Sequence, residues 1–476
     1  MARDTNTGKA DRPAGRNMAI SSTACWIALA CLVVPMFASY FFDDMFSTLS
    51  HIFQNPDLLQ LGWDSADYGF YAGGYSFLCV CGGLVVCGIL LDVFGVRIVG
   101  SVFVGLMILG AAAVFFALVS GLAPDTSLTI AYIGCMIFGL GSEIAGVAVT
   151  RSIAKWFKGR NVALAMGLQL SIARLGTAAA FILAPVLVAG KPEGEIYTLA
   201  ETARPAVAGL AMLLAGGVLW GIFVAMDARF DADAGIAASR GKVSEADRFR
   251  FSDIVKVLGN PRFLMIAFLC VFFYCCIISF KKFGTSIVIP RFGMDVDSAK
   301  WMITMIPFFT VIFTPLFGAL VDKVGKATVW MLTGAGLVLA AHLIMAFAPQ
   351  GTAFYGYLAI SLLGTGYSLV PSAMWPTVPK IIPDRNLGTA YSLVYWIQNM
   401  GMLLVPVFVG RIFRDTITEA GNMTQEIEAA VSAEFIFIGL GIAAVAVAVL
   451  LIMSSRRHPE LEIDMPNRKP KDVQTS

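Results

Sequence analysis

The sequence predicts an all-α membrane protein with twelve transmembrane helices arranged in two six-helix lobes. The first observation is composition, because 58% of the 476 residues are hydrophobic and only 14% are charged. This balance lies far outside that of soluble globular proteins. The second observation is a series of long apolar runs separated by short loops. The third is a short motif that recurs at equivalent places in the two halves of the chain.

The first lobe is predicted over residues 24–226, after a polar segment at residues 1–23 that we expect to be disordered and cytoplasmic. A helix needs about 20 apolar residues to cross a bilayer, and basic residues in short loops are retained on the cytoplasmic side. The loop after the first run contains neither Lys nor Arg and is therefore placed outside, whereas the basic loop at 151–160 is placed inside. The six predicted helices are 24–46, 68–91, 99–119, 128–150, 161–189 and 205–226.

The second lobe is predicted over residues 261–455, after a charged stretch at 227–260 that we interpret as a cytoplasmic linker. Lys and Arg recur at the predicted inner ends of its helices, although some outer loops also contain basic residues. Twelve crossings place both termini in the cytoplasm, with residues 456–476 as a cytoplasmic tail. The predicted helices are 263–290, 300–321, 327–348, 353–379, 388–410 and 432–454.

The residue pattern argues against several kinds of site and partner. All nine cysteines fall inside apolar runs, so we expect small core residues rather than disulfide partners or metal ligands. The basic residues are spread over short loops, so no nucleic-acid partner is expected. A membrane-embedded hydrolase would need a facing acid pair, an HExxH motif, or a Ser with a Lys or His at matched depth, and the sequence contains none of these. We expect no enzyme activity and no cofactor, and a monomer in the lipid bilayer.

A repeated motif marks the predicted inner ends of the second and eighth helices, as GILLDVFGVR and GALVDKVGK. Glycines permit close helix approach and tight turns, and an Asp at a helix end can meet basic residues and the N-terminus of a neighbouring helix. Two copies in a chain of six plus six helices resemble the major facilitator superfamily over residues 24–455. The first copy departs from the family in having Val93 where a base is usual. The resemblance implies gating roles for Asp92, Arg97, Asp322, Lys323 and Lys326.

Two opposite charges, Glu143 and Arg174, lie inside long apolar runs on either side of the basic loop. Counted from Arg151 and Arg160 at about 1.5 Å per residue, they lie about 12 and 21 Å deep in a hydrocarbon layer of about 30 Å. A charge at this depth costs about 2.5 to 3.5 kcal/mol and needs a partner. Two interpretations are open: the residues contact a ligand, or they pair with each other. The depth difference of about 9 Å is close to the roughly 7 Å span of a dipeptide.

Two longer blocks carry a closer resemblance. GSEIAGVAVTRSIAKWFKGRNVALAMGLQLSIARLG at 141–176 and YSLVPSAMWPTVPKIIPDRNLGTAYSLVYWIQNMG at 367–401 resemble the lysosomal dipeptide uniporter branch of the superfamily. The branch implies transport by alternating access of a small zwitterion, a dipeptide, with its amino group near Glu143 and its carboxylate near Arg174, by uniport or with protons. A monocarboxylate or organic-anion exchanger or symporter is the rival, although Glu143 would repel a simple anion. We expect the inner membrane of a bacterium, or the lysosomal membrane in a eukaryote.

Other polar and aromatic residues in the apolar runs are weaker candidates. Asp43, Asp44 and Lys281 are candidates for a gate or proton site; the two Asp residues are equally consistent with interfacial carboxylates, and Lys281 and Lys282 with side chains that snorkel to the outer interface. His342 is expected to be a core histidine. Candidates for lining the cavity, each also consistent with simple packing, are Tyr71, Tyr75, Trp375, Tyr395, Gln398 and Asn399.

Overall fold

The computed structural model describes residues 22–157, 162–188, 190–191, 195–233, 251–383, 386–419 and 421–466. Residues 1–21 of the predicted N-terminal segment, 234–250 of the linker and 467–476 of the tail lie outside the described residues. The Asp92 side chain, predicted above to take part in gating, also lies outside the described part.

The helices of the first lobe lie over the predicted apolar runs, and some of them extend several residues further. A π-helical turn at Cys79–Gly83 lies inside the second membrane span, Ser65–Cys87. The chain then reverses at Gly95, whose φ of 77° lies in the left-handed region that favours glycine. The helices are α1 Ser22–Asp44, α2 Ser65–Leu78, α3 Leu84–Val119, α4 Pro124–Trp156, α5 Val162–Val188 and α6 Arg204–Asp233.

The second lobe repeats this arrangement after a short helix at Phe251–Leu258. Its helices are α7 Pro261–Phe292, α8 Val296–Val324, α9 Ala327–Phe347, α10 Ala353–Met374, α11 Leu387–Thr416 and α12 Met423–Arg457. The described residues form 12 stretches that are long and apolar enough to cross a membrane. The prediction of twelve spanning helices is therefore confirmed.

The same helix packing occurs in both lobes. In the first lobe α1 packs against α5 and α6, and α4 packs against α2 and α3; in the second, α7 packs against α11 and α12, and α10 against α8 and α9. Between the lobes, α2 packs against α11 and α5 packs against α8. These two contacts are equivalent, because α8 is the counterpart of α2 in the second lobe and α11 is the counterpart of α5. We call the end of the bundle where α1 begins the inner end and the end where α1 stops the outer end.

Helix α6 runs beyond residue 226, where the linker was predicted to begin. Asp227 accepts hydrogen bonds from Lys155 Nζ at 2.7 Å and from Trp156 Nε1 at 2.8 Å, and Asp231 accepts one from Arg97 Nη2 at 2.9 Å. From the sequence alone, Asp227 and Asp231 were interpreted as polar residues of the linker. They extend the helix because bases on α3 and α4 pair with them at the inner end of the lobe.

The chain after α12 folds back onto the second lobe as far as residue 466. The Asp464 carboxylate accepts hydrogen bonds from the Thr328 backbone N–H at 2.8 Å and from Ser455 Oγ at 2.8 Å. Lys380 Nζ donates to the Met465 carbonyl at 2.9 Å. The predicted tail therefore begins as a folded part of the lobe, because its carboxylate caps the first turn of α9.

Candidate functional site

Glu143 lies half-buried on α4 and faces α2. The Tyr75 hydroxyl is 3.3 Å from Glu143 Oε1 and 3.1 Å from Ser142 Oγ. Ser142 Oγ in turn lies 2.5 Å from Ser39 Oγ on α1. These contacts fix three helices of the first lobe around the carboxylate, and they give it one neutral hydrogen-bond donor but no basic partner among the described residues.

Arg174 lies half-buried on α5 and faces the second lobe. Its guanidinium is 4.7 Å from the centre of the Tyr367 ring on α10, within the range of a cation–π contact. No carboxylate among the described residues forms an ion pair with this arginine. An aromatic face therefore takes the place of a counter-ion.

Glu143 and Arg174 do not pair with each other in the structure, which disfavours the structural ion-pair interpretation. They also lie at nearly the same depth. Glu143 is 13 residues from the inner end of α4 at Trp156 and Arg174 is 12 residues from the inner end of α5 at Val162, which corresponds to about 20 and 18 Å at 1.5 Å per residue. The predicted 9 Å difference in depth is wrong, because α4 continues inward past the residue from which its depth was counted.

Aromatic side chains of the second lobe stand opposite the two charges. The Trp375 ring is 5.1 Å from that of Tyr395, and its indole N–H lies 3.2 Å from the Tyr274 hydroxyl. The Tyr274 ring is 6.0 Å from the Tyr367 ring, over which the Arg174 guanidinium lies. The structure places Trp375 and Tyr395 in one aromatic cluster with Tyr274 and Tyr367, two tyrosines that were not among the predicted site residues.

Three of the predicted lining residues make their contacts elsewhere. Tyr71 packs near the outer end, with its ring 5.8 Å from that of Trp63. Gln398 Oε1 accepts a hydrogen bond from Cys270 Sγ at 3.2 Å, inside the second lobe. The Asn399 side chain is buried and donates to the backbone carbonyl of its own helix one turn earlier. These three positions follow the same helical stripes as Tyr75 and Tyr395, and only the packing tells them apart.

Four charged residues near the outer end join the two lobes. Lys281 Nζ of α7 lies 2.9 Å from Asp44 Oδ2 of α1, and Lys282 Nζ lies 2.9 Å from Asp43 Oδ1 and 3.3 Å from Asp44 Oδ1. Asp44 also accepts a hydrogen bond from Thr177 Oγ1 at 2.8 Å. Both lysines are buried, at 7% and 6% exposure. The snorkelling alternative is wrong, because carboxylates of the first lobe meet both ammonium groups inside the protein.

The outer interface extends beyond these charges. In the 3₁₀ helix Ser47–Gln54, Ser50 Oγ lies 3.0 Å from Thr285 Oγ1 and accepts a hydrogen bond from Ser286 Oγ at 2.9 Å. The helices α2 and α11 touch backbone to backbone, since a Cβ added at Gly410 would lie 2.3 Å from the Ser65 carbonyl oxygen. The Tyr68 hydroxyl donates to the Lys282 carbonyl at 2.9 Å. In this structure the lobes are closed against each other at the outer end.

The remaining motif residues lie at the inner end. Arg97 pairs with Asp231 and Asp227, as described above. The side chains of Asp322, Lys323 and Lys326 are exposed where α8 turns into α9, and the Lys326 backbone N–H donates to the Asp464 carbonyl at 2.7 Å.

His342 lies in the core of the second lobe, with Nδ1 2.7 Å from Glu434 Oε2, and both residues are fully buried. This placement joins α9 to α12.

The described residues form twelve spans in two equivalent lobes, and within them Glu143 and Arg174 lie at mid-depth without an ion-pair partner. This arrangement is typical of a secondary membrane transporter. The chain belongs to the Major Facilitator Superfamily, whose sequence profile matches residues 32–406 and 276–472. It is a transporter of a small molecule, and not an enzyme.

Curated relatives and solved structures agree with this family. The chain is 30% identical over 382 residues to the lysosomal dipeptide transporter MFSD1 of Danio rerio, covering 79% of this chain and 78% of that protein. It is 30% identical over 356 residues to the Homo sapiens protein of the same name, covering 72% and 70%. The fold matches a D-xylose–proton symporter with a TM-score of 0.62 at 13% identity, over 89% of this chain and 96% of that one. It also matches an inward-open conformation of the xylose transporter XylE from E. coli with a TM-score of 0.60 at 13% identity, over 94% and 97%.

Proposed function

We propose that the chain carries dipeptides across the membrane by alternating access, as a uniporter or together with protons. The observation that carries the proposal is the pair of half-buried, opposite charges of Glu143 and Arg174, which do not pair with each other. A dipeptide zwitterion supplies the missing partner to each, with its ammonium at the carboxylate and its carboxylate at the guanidinium. The two relatives described above, which are named dipeptide transporters, support this choice of substrate.

The walls of the site suit a ligand whose side chains vary. Trp375 and Tyr395 of the second lobe and Tyr75 of the first present large flat faces with few polar atoms. Such faces contribute contact area without selecting one hydrogen-bonding pattern. We therefore assign the charged ends of the ligand to the first lobe and its side chains to the aromatic wall of the second.

A monocarboxylate or organic-anion exchanger is the rival function. Arg174 alone would hold a carboxylate, but Glu143 would then face an anion across the same cavity. Like charges in a site of low dielectric repel strongly. The half-buried Glu143 carboxylate, which has no basic partner among the described residues, favours a ligand with a positive group.

Alternating access requires the outer interface to open. We assign Asp43, Asp44 and Lys281, together with Lys282, to an outer gate that is closed in this structure. Asp43 is also the candidate proton site, since it borders a small cavity and is the more exposed carboxylate of the cluster. The exposed inner residues Asp322, Lys323 and Lys326, with Arg97 and Asp92, are assigned to contacts made in the opposite state. We place the protein as a monomer in a bacterial inner membrane, or in the lysosomal membrane of a eukaryote.

A thermal-shift screen of the purified protein tests the substrate class. Dipeptides, free amino acids and small carboxylates are compared at equal concentration. A ligand at 100 times its dissociation constant stabilises the folded state by about 2.7 kcal/mol. We expect dipeptides to raise the melting temperature and free amino acids to do so much less. Stabilisation by lactate or oxalate but by no dipeptide would instead support the anion carrier.

Modified ligands test the two assigned ends. Acetylating the dipeptide removes the charge that Glu143 meets, and amidating it removes the charge that Arg174 meets. In Glu143→Gln the affinity lost on acetylation should shrink while the loss on amidation persists, and Arg174→Gln should show the reverse. If each variant loses affinity equally for the acetylated and the amidated dipeptide, Glu143 and Arg174 do not contact opposite ends of the ligand.

A further inference from the structure

One face of α1 is directed at the second lobe. Between Leu32 and Asp44, the partly exposed positions are Val34, Phe37, Tyr40 and Asp43, at a spacing of three residues, and the residues between them are buried. Asp43, at the outer end of this face, bonds Lys282 of the second lobe. Since residues three apart lie on the same side of a helix, Tyr40 one turn further in also faces the space between the lobes.

Tyr40 lies between the two site charges. Its neighbour Ser39 contacts Ser142, which adjoins Glu143 on α4. On the other side, a Cβ added at Gly176, two residues after Arg174, would lie 2.3 Å from the Phe37 carbonyl oxygen of α1. Helix α1 thus lies between α4 and α5 at this level.

The Tyr40 hydroxyl forms no hydrogen bond to another described residue. Two other tyrosines of the site differ in this respect: the Tyr75 hydroxyl bonds Ser142 and Glu143, and the Tyr274 hydroxyl accepts the indole N–H of Trp375. A hydroxyl both donates and accepts, and a polar group in a closed site needs a partner when water is displaced. A ligand that occupies both charges must pass its middle atoms beside this group.

We propose that the Tyr40 hydroxyl bonds the peptide group of the ligand and so selects an amide between the two charged ends. The proposal rests on the dipeptide function proposed above. A dipeptide places its single amide midway between ammonium and carboxylate. A free amino acid has no such group. Tyr40 is therefore a specificity-determining residue for the length and chemistry of the ligand.

The test compares alanylalanine with its trans-alkene isostere, in which a carbon–carbon double bond replaces the amide and both charged ends keep their separation. Binding of each ligand is measured by calorimetry to the wild-type protein and to Tyr40→Phe. The variant should bind alanylalanine about threefold to tenfold more weakly, as expected for one hydrogen bond. Its affinity for the isostere should not change.

The control is Tyr132→Phe, which removes a hydroxyl from a ring that stacks on Phe70 at 4.1 Å, away from the charges. It should leave both affinities unchanged. If the wild-type protein binds alanylalanine and its alkene isostere with equal affinity, the proposal is overturned, and no variant is needed to show it. Equal losses for both ligands in Tyr40→Phe would also overturn it, since the ring would then act by packing alone. If wild-type protein binds neither ligand, the dipeptide function itself fails, and this proposal fails with it.

Discussion

Neutralising Asp44 should open the outer end of the transporter. The carboxylate is 1% exposed and lies 2.9 Å from Lys281 Nζ and 3.3 Å from Lys282 Nζ. In Asp44→Asn, Asp43 alone would face two buried ammonium groups. Removing one partner of a buried ion pair costs about 3 to 5 kcal/mol. We take the lower value, about 3 kcal/mol, because Asn keeps an oxygen for Thr177.

This cost applies only while the lobes are closed, since both lysines are hydrated once the outer end opens. At about 1.4 kcal/mol per factor of ten, the open-to-closed ratio should rise about 100-fold. A cysteine placed at Ala72, which lines the small outer cavity, reports the open population when the exposed Cys81 is replaced by Ser. Its labelling rate with an impermeant maleimide added from the outer side should rise up to the same factor.

Two further variants test the reasoning. Asp57→Asn removes an exposed carboxylate from the same end of the molecule and should leave labelling unchanged. Adding Lys281→Met to Asp44→Asn restores equal numbers of charges and should return most of the population to the closed state. Labelling of Asp44→Asn at the wild-type rate would refute an electrostatic outer gate.

Three other variants should give distinct results. Gly410→Ala should increase outer labelling as Asp44→Asn does, because its Cβ meets the neighbouring backbone, whereas Gly105→Ala has open space and serves as its control; equal labelling of the two would show that this helix contact is not needed for closure. Asp227→Asn should lower the free energy of unfolding by about 1 to 3 kcal/mol in a thermal melt, because a neutral amide replaces a carboxylate that pairs with two bases and accepts an indole N–H; an unchanged melt would refute this. Glu143→Gln should not lower the melting temperature of ligand-free protein, since no ion pair is lost, and a drop of several degrees would favour a structural role.

The spanning helices could be predicted because each must be apolar over about 20 residues, and hydropathy reports that directly. The ends of these helices could not be predicted in the same way. In α6, for example, Asp227 resembles a linker residue in the sequence, and only the three-dimensional structure shows the bases that pair with it. The pairing of Asp44 with Lys281 had the same difficulty, since its partners lie 237 positions apart in different lobes. A lysine near a helix end fits snorkelling equally well from sequence.

The site was predicted in part, for a related reason. A charge in an apolar run is conspicuous, so Glu143 and Arg174 could be identified from their cost alone. A tyrosine in such a run is not, because helices that are apolar on all sides give no pattern to show which face is inward. Tyr40, Tyr274 and Tyr367 were missed for that reason, and Tyr71 was included for it.

Both charges that we assign to the ligand belong to the first lobe, while the second lobe offers aromatic faces. We expect the first lobe to keep its two charged contacts with the ligand in both the outward-open and the inward-open state, while the second lobe moves relative to it. A ligand that binds two conformational states with equal affinity does not shift the equilibrium between them. The cargo would then be released about as readily on one side of the membrane as on the other, and its concentrations on the two sides would decide the direction of net movement.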